Sequence, residues 1–499
     1  MGLSAKLKSW SEELTPCFIY LLFVATLGPL LFGYHLAELN APQEVITCEK
    51  KSPSSSSASL PQCIPMDATQ LGLVSSIFTL GGLIGALASG ALAARYGRLF
   101  VMRINTLLLA LGPFGETIAP NITVLALGRL VSGLGAGVSV VVVPIYISEI
   151  SPPKEKGFFG AFTQIATNVG IFITQLLGYF LSRGQMWRVI LAVAGVIGVG
   201  QFVGLLFAVD SPKWQADHGD ARQARDNLKR IRGHKADLTE EIDGWGLQSE
   251  DERNEEEQTL LTNEDHVNGS PSDTARPDGI SQSHASVGIF SILRDPANNR
   301  AILAVVVVMM AQQLCGINSI VMYGVSLLAD LLAANSALLN IFVSILNIVA
   351  TTGFAPLVDV LGRKPCILGS IAGMGVSSVM LAVGIRSSIP VLSAISVLLF
   401  VASFAFGLGP VPFILSSELV GPEAVGATQS WALAANWIST FVVAQFFPMA
   451  NERLGKGVVY FVFAGLAALF LVFVGWYVPE TKGKKDVDEV WGRTGRRED

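Results

Sequence analysis

The sequence predicts an all-α membrane protein of twelve transmembrane helices in two six-helix bundles. Three observations carry this reading. Only 15% of the residues are charged while 51% are hydrophobic, against about 25% charged in soluble domains. The charges gather at the two ends, in short punctuations and between Pro212 and Asp295. What remains is a series of apolar runs of about 20 residues, the length a helix needs to cross a ~30 Å hydrocarbon core.

In chain order the runs cover residues 17–38, 68–92, 100–119, 123–147, 158–182, 187–209, 298–324, 337–359, 366–385, 390–415, 426–449 and 457–478. Inside hydrocarbon each must be a helix, because backbone groups there have no water to bond. The expected organisation is a terminal segment 1–16, a bundle 17–209, a central segment 210–296, a second bundle 297–478 and a tail 479–499. A six-and-six division suggests two related bundles with a path between them. No cleavable leader is expected, since Met1 to Thr15 is polar and the first apolar run is long enough to stay in the bilayer. Arg95, Arg98, Arg103, Lys154, Lys156, Arg363, Lys364, Lys482, Lys484 and Lys485 all fall in loops on one side, or in the tail. That bias predicts both termini and the central segment to be cytosolic.

Residues 213–243 carry mixed charges at helical spacing, among them Arg222, Arg225, Lys229 and Arg230. They predict amphipathic helices lying on the cytosolic face. Residues 247–287 are rich in Glu, Asp, Ser, Asn and Pro, a composition expected to stay disordered. Within them Glu256 precedes Leu260 and Leu261 at an acidic-dileucine spacing. It reads either as a motif for a sorting adaptor, pointing to a vacuolar or endosomal rather than a plasma membrane, or as chance in an acidic tract. Cys48 and Cys63 share one polar loop on the far side. A disulfide and two separate thiols are both open for them.

Several function classes are excluded. An enzyme needs a nucleophile–base set or a metal cluster. The five histidines are His35, His218, His234, His266 and His284, and four of them sit in the central segment without metal spacing. No catalytic residue, cofactor or metal is therefore expected. Gly133, Gly135 and Gly137 echo a dinucleotide fingerprint but lie inside an apolar helix, where close helix packing explains them. No basic stripe points to nucleic acid.

The two halves repeat. The loop after span 2 reads Gly90-Ala-Leu-Ala-Ala-Arg95-Tyr-Gly97-Arg98, and the loop after span 8 reads Pro356-Leu-Val-Asp359-Val-Leu-Gly362-Arg363-Lys364. Pro144, Tyr146 and Glu149 end span 4, and Pro412, Ser417 and Glu418 end span 10. Matching motifs at matching positions indicate duplication. To these are added Phe32-Gly33-Tyr34, Asn40-Ala41-Pro42-Gln43, Gly128-Arg129, Gln164, Gln175 and Asp210-Ser211-Pro212-Lys213. Further on come Gln312-Gln313, Cys315-Gly316-Ile317-Asn318, Asn436-Trp437 and Pro479-Glu480-Thr481-Lys482-Gly483. Together they make the chain resemble the sugar porter branch of the major facilitator superfamily, close to facilitative glucose transporters and their fungal relatives.

The resemblance implies a carrier for a monosaccharide, or else a polyol, working by alternating access. A non-transporting sugar sensor is a rival reading, disfavoured by a short tail. A sugar's hydroxyls both donate and accept, so its site needs amides and an aromatic face. Gln164, Gln175, Gln312, Gln313, Asn318, Asn347 and Asn436 fall where the resemblance puts sugar-binding amides, joined by Tyr323, Phe413 and Trp437. Gln164 and Gln175, eleven apart, share one helix face, and Gly316 permits a break in span 7. Gly409, Pro410 and Pro412, with Gly407, break span 10 and make a gate. The chain departs from the glucose transporters at Phe413, Ala405, Met322 and Thr440, which leaves fewer hydrogen-bond partners in the pocket. A cytosolic charge latch is expected from Arg95, Arg98, Glu149, Asp359, Arg363 and Glu418, thinner than usual because Ala94, Leu99 and Val360 replace charges.

Coupling turns on the residue after Phe-Gly-Tyr. By resemblance, proton-coupled members have aspartate there, paired with the span-4 arginine, here Arg129, and facilitative members have asparagine. This chain has His35. A cationic His35 would be repelled by Arg129, so it is expected to be neutral and to favour passive uniport. Glu38, one turn on, pairs with either group or binds H+, and keeps proton symport as the alternative.

Overall fold

The computed structural model describes residues 15–50, 60–233, 238, 241–242, 291–294, 296–332, 335–421, 423–484 and 487–492. Among these residues twelve helices are long and apolar enough to cross a membrane. The first half contains Pro16–Ala37, Ala68–Tyr96, Arg98–Thr117, Ile122–Ile150, Lys156–Leu181 and Trp187–Leu206, spans 1 to 6. In the second half span 7 comes in two pieces, Pro296–Leu314 and Ile317–Leu332. Spans 8 and 9 are Asn335–Leu361 and Arg363–Arg386, and span 10 is again in two pieces, Pro390–Phe406 and Val411–Glu418. Val425–Leu454 and Val459–Tyr477 complete the set. An even number of crossings puts both ends of the bundle on one side, here the terminal face.

Several helices outrun their apolar stretch until a stop signal. Span 2 continues to Tyr96, where Gly97 turns the chain at φ 92°. Span 8 continues to Leu361, where Gly362 does the same at φ 101°. A side chain at either glycine would be strained by that backbone. It would also meet a carboxylate, Asp210 after span 6 or Glu480 after span 12. Those carboxylates accept hydrogen bonds from the N-termini of the next helices: Asp210 from Leu99 N at 3.1 Å, Glu480 from Arg363 N and Lys364 N at 3.0 Å. The internal repeat read from the sequence thus recurs as one capping device built twice.

Within each half, helices approach until backbones touch. Gly133 and Gly137 of span 4 face the backbone at Phe78 and Gly82 of span 2, and Gly170 of span 5 faces that at Leu30 of span 1. Any larger residue would separate the helices, so these glycines serve packing.

The halves meet mainly on the side away from the termini. Asn40, just past span 1, donates to Val321 O at 2.9 Å and accepts from Val325 N at 2.9 Å, both in span 7. Ser326 donates to Gln43 at 3.1 Å. Ser76 of span 2 donates to Gln445 of span 11 at 2.8 Å. Toward the terminal face the same helices part. Gly82 lies against the Trp437 ring, whereas a side chain at Gly90, two turns on, would meet nothing within 4 Å. Gly157, Gly160, Gly353 and Gly426, at the terminal-face ends of spans 5, 8 and 11, also face open space. The molecule is closed on the far side and open toward its termini.

The loop 60–67 is pinned on that closed side. Cys48 and Cys63 form a disulfide. Gln185 donates to Leu60 O at 2.6 Å, Trp187 to Gln62 O at 2.8 Å and Arg188 to Pro61 O at 3.0 Å. On the terminal face, helices Pro212–Asp217 and Ala221–Arg232 pack on the bundle rather than float on it. Ala224, Leu228 and Ile231 are buried. Trp214 donates to Ala94 O at 2.7 Å and Arg232 to Ile150 O at 2.6 Å. The acidic stretch with Glu256, Leu260 and Leu261 lies outside the described residues.

Candidate functional site

Two broken helices open a cavity between the halves. After Leu314, Gly316 adopts φ 103° and span 7 restarts at Ile317. Span 10 stops at Phe406 and restarts at Val411, with Pro410 and Pro412 at the new N-terminus, where a missing N–H costs nothing. The freed backbone is taken up by side chains. Gln312 donates to Leu408 O at 2.6 Å and Gly409 O at 3.0 Å, and Ser370 accepts from Leu408 N at 3.0 Å.

The cavity has a volume of about 120 Å³, small beside the roughly 300–1,000 Å³ of drug-sized sites. Of the residues singled out by sequence, Gln164, Gln312, Gln313, Asn318, Asn347, Asn436, Gly409, Phe413 and Trp437 line it. They form two relays of amides. Asn436 donates to Gln312 at 2.5 Å, Gln313 donates to Gln312 at 3.2 Å, and Asn318 donates to Gln313 at 2.6 Å. Across the cavity, Gln164 and Asn347 both donate to Asn168, at 3.4 and 3.2 Å. Each relay keeps unused donors and acceptors for a polyhydroxylated guest. Phe32, Phe404, Phe413 and Trp437 supply apolar faces, with Phe32 and Trp437 in edge contact at 5.7 Å.

Two residues depart from expectation. Gln175 shares the face of Gln164 but lines an adjoining small cavity of about 20 Å³, and its Oε1 has no partner. Tyr323 is absent from the lining of both cavities and donates to Ala444 O at 2.6 Å. Sequence reasoning missed Asn168, one turn from Gln164 and the hub of the relay that joins span 5 of the first half to span 8 of the second. Its signal was available: another amide in an apolar span at helical spacing.

Beside the cavity lies a buried charged cluster. His35 Nδ1 is 3.1 Å from both oxygens of Glu38. Arg129 donates to His35 O at 2.9 Å and pairs with Glu38. So His35, Glu38 and Arg129 come together as the sequence suggested. The structure adds a fourth member, Glu116 at the end of span 3, fully buried and accepting from Ser132 at 2.6 Å.

On the terminal face the latch residues pair within each half. Arg98 grips Glu149 through two bonds, at 2.9 and 2.7 Å. Arg363 pairs with Asp359 at 3.1 Å and Glu418 at 2.9 Å. Arg95 is exposed and stacks on Tyr96 instead. It starts in the last turn of span 2, while Arg98 begins span 3 beside Glu149.

Comparison with known proteins agrees with this architecture. The family model described as sugar (and other) transporter matches residues 21–491. The chain is 32% identical over 479 residues to "Probable metabolite transport protein YBR241C" of Saccharomyces cerevisiae, covering 94% of this chain and 93% of that one. It is 28% identical over 495 residues to the rat "Solute carrier family 2, facilitated glucose transporter member 3", covering 95% and 92%. A partially occluded inward open structure of the xylose transporter XylE from E. coli superposes with a TM-score of 0.73 at 23% identity, over 95% of this chain and 100% of that one. Twelve spans in repeated halves, two broken helices over an amide-lined cavity and this full-length match make the chain a member of the sugar porter family of the major facilitator superfamily, whose members are carriers and not enzymes.

Proposed function

We propose that the chain carries a monosaccharide across its membrane by alternating access, with the sugar held among Gln164, Gln312, Gln313, Asn318, Asn347 and Asn436. The observation that carries this reading is the pair of amide relays facing one another across a cavity built at two helix breaks. Amides bind hydroxyls without selecting charge, and Trp437 and Phe413 offer faces to the ring. The terminal face is read as cytosolic from the lysine and arginine bias, so the state seen is open to the cytosol. The second closed state would form when the Asn40–span 7 bonds release and the latch ends of spans 2, 5, 8 and 11 approach.

Uptake of labelled hexoses, pentoses and polyols into proteoliposomes tests the proposal. Saturable flux of at least one monosaccharide is expected, and no flux with the whole panel would refute it. The departures at Ala405, Met322 and Thr440 predict that glucose is not the best of them. Uniport follows from His35 taken alone; Glu116, invisible to that reading, favours coupling to protons.

A further inference from the structure

We propose that Asn168, Asn347 and Thr351 form a closed hydrogen-bond ring between the two halves, that one hydroxyl of the bound sugar inserts into this ring, and that Asn168 is the residue that selects for that hydroxyl. The proposal deepens the sugar-carrier reading and rests on it.

The ring is read from its bonds. Asn168 of span 5 donates through Nδ2 to Thr351 Oγ1 at 3.2 Å. Thr351 of span 8 donates to Asn347 Oδ1 at 3.3 Å. Asn347 donates through Nδ2 back to Asn168 Oδ1 at 3.2 Å. Each member gives one bond and takes one, all in the same sense around the circle. Hydrogen bonds that run one way polarise one another, so the three act as a unit. Asn168 and Asn347 are 2% and 8% exposed, and amides this deep between apolar helices need such partners.

One edge of the ring faces the sugar. Asn168 and Asn347 line the cavity and Thr351 does not, so the accessible edge runs from Asn347 Nδ2 to Asn168 Oδ1. It offers a donor on one side and an acceptor on the other. A hydroxyl that enters accepts from Asn347 and donates to Asn168, and the ring closes again with four members. One bond is replaced by two. Other groups fail the same test. A deoxy carbon does neither job, and a fluorine cannot donate. A carboxylate would set a lone pair against Asn168 Oδ1, and an ammonium cannot accept from Asn347. The edge therefore reads a neutral hydroxyl.

The place in the fold suits insertion. Two hydrogen bonds meeting at a bent hydroxyl span roughly 4.5–5 Å, against 3.2 Å across the empty edge. Insertion therefore moves span 5 from span 8 by about 1.5 Å. The two helices have room to part just beyond the ring, because Gly353, two residues past Thr351, and Gly160, two turns before Asn168, face open space. The cavity, at about 120 Å³, has to widen for a sugar in any case. An empty carrier that spreads this far loses the ring, whereas a loaded one keeps it. The hydroxyl thus holds the two halves together across the widened site.

The test uses the full chain in proteoliposomes, with a transported monosaccharide and its monodeoxy and monofluoro analogues. In the parent, replacing one particular hydroxyl by either hydrogen or fluorine should lower kcat/KM roughly tenfold. In Asn168→Ala that penalty should shrink to about twofold or less, while the penalties at the other hydroxyls stay as in the parent. A merely structural Asn168 would slow every analogue by one common factor and leave all the ratios unchanged. Asn168→Leu, close to asparagine in shape, carries the same expectation should the alanine variant not fold. Thr351→Val opens the ring away from the cavity and leaves the reading edge in place, so it should retain the penalty. Unchanged ratios in the Asn168 variants, a penalty lost in Thr351→Val, or a parent indifferent to every single hydroxyl overturns the insertion and leaves the carrier reading standing. A chain that moves none of the monosaccharides offered refutes that reading, and the insertion with it.

Discussion

Removing the Asn40 side chain should open the far side of the molecule. Asn40 donates to Val321 O at 2.9 Å and to Asn340 at 3.4 Å, and accepts from Val325 N at 2.9 Å. All of these join the first half to the second, and Asn40 is 1% exposed. In Asn40→Ala the closed state loses the hydrogen bonds that join the halves, while Val321 O and Val325 N, four residues apart in the span-7 helix, can still bond to each other. A hydrogen bond contributes about 0.5–1.5 kcal/mol net. The closed state should lose about 1–2 kcal/mol, a shift of roughly 5–30-fold toward opening. Spin labels at exposed Pro65 and Ser387, one on each half, report this as a longer distance population in lipid nanodiscs. A distribution identical to that of the parent would refute the assignment of Asn40 as the far-side clasp.

The repeated capping device should matter equally in both halves. Glu480→Ala strips acceptors from Arg363 N and Lys364 N and should cost about 1–2 kcal/mol, read as a lower midpoint in a thermal unfolding scan; Asp210→Ala should cost a similar amount at Leu99 N. Glu149→Ala breaks a half-buried two-bond pair to Arg98 and should cost about 1 kcal/mol after solvent screening, again as a lower unfolding midpoint. Changing Leu260 and Leu261 together to alanine should redirect a fluorescent fusion from internal membranes to the cell surface, and an unchanged location removes the sorting-motif reading.

The architecture was legible because a bilayer allows few solutions. Length and apolarity alone mark the twelve spans, and Gly316, Gly407 and Pro410 announce the two breaks that the structure contains. The amides of spans 7 and 11 were legible for a related reason: such groups in hydrocarbon need partners, and here they find each other. What the sequence hid depends on rotation and depth. Glu116 stands next to Thr117 at the end of an apolar run and reads as a headgroup-level charge. Only the approach of Gly128 and Ser132 of span 4 buries it. Gln175 and Tyr323 sit on the expected helices, yet small rotations turn them to a side cavity and to Ala444 O. Likewise nothing in the loop motif told Arg95 from Arg98; reaching Glu149 requires the turn at Gly97 to be in place.

The central claim is that one sugar is held between amides from both halves of the molecule. The most direct measurement compares uptake of the same labelled monosaccharide by Gln164→Ala, from the first half, and Asn318→Ala, from the second. Both line the cavity. Loss of a hydrogen bond to a bound hydroxyl, about 1–3 kcal/mol, predicts that each lowers kcat/KM by roughly 5–150-fold. Parent-like kcat/KM in both variants, at equal amounts of folded protein, would contradict the account.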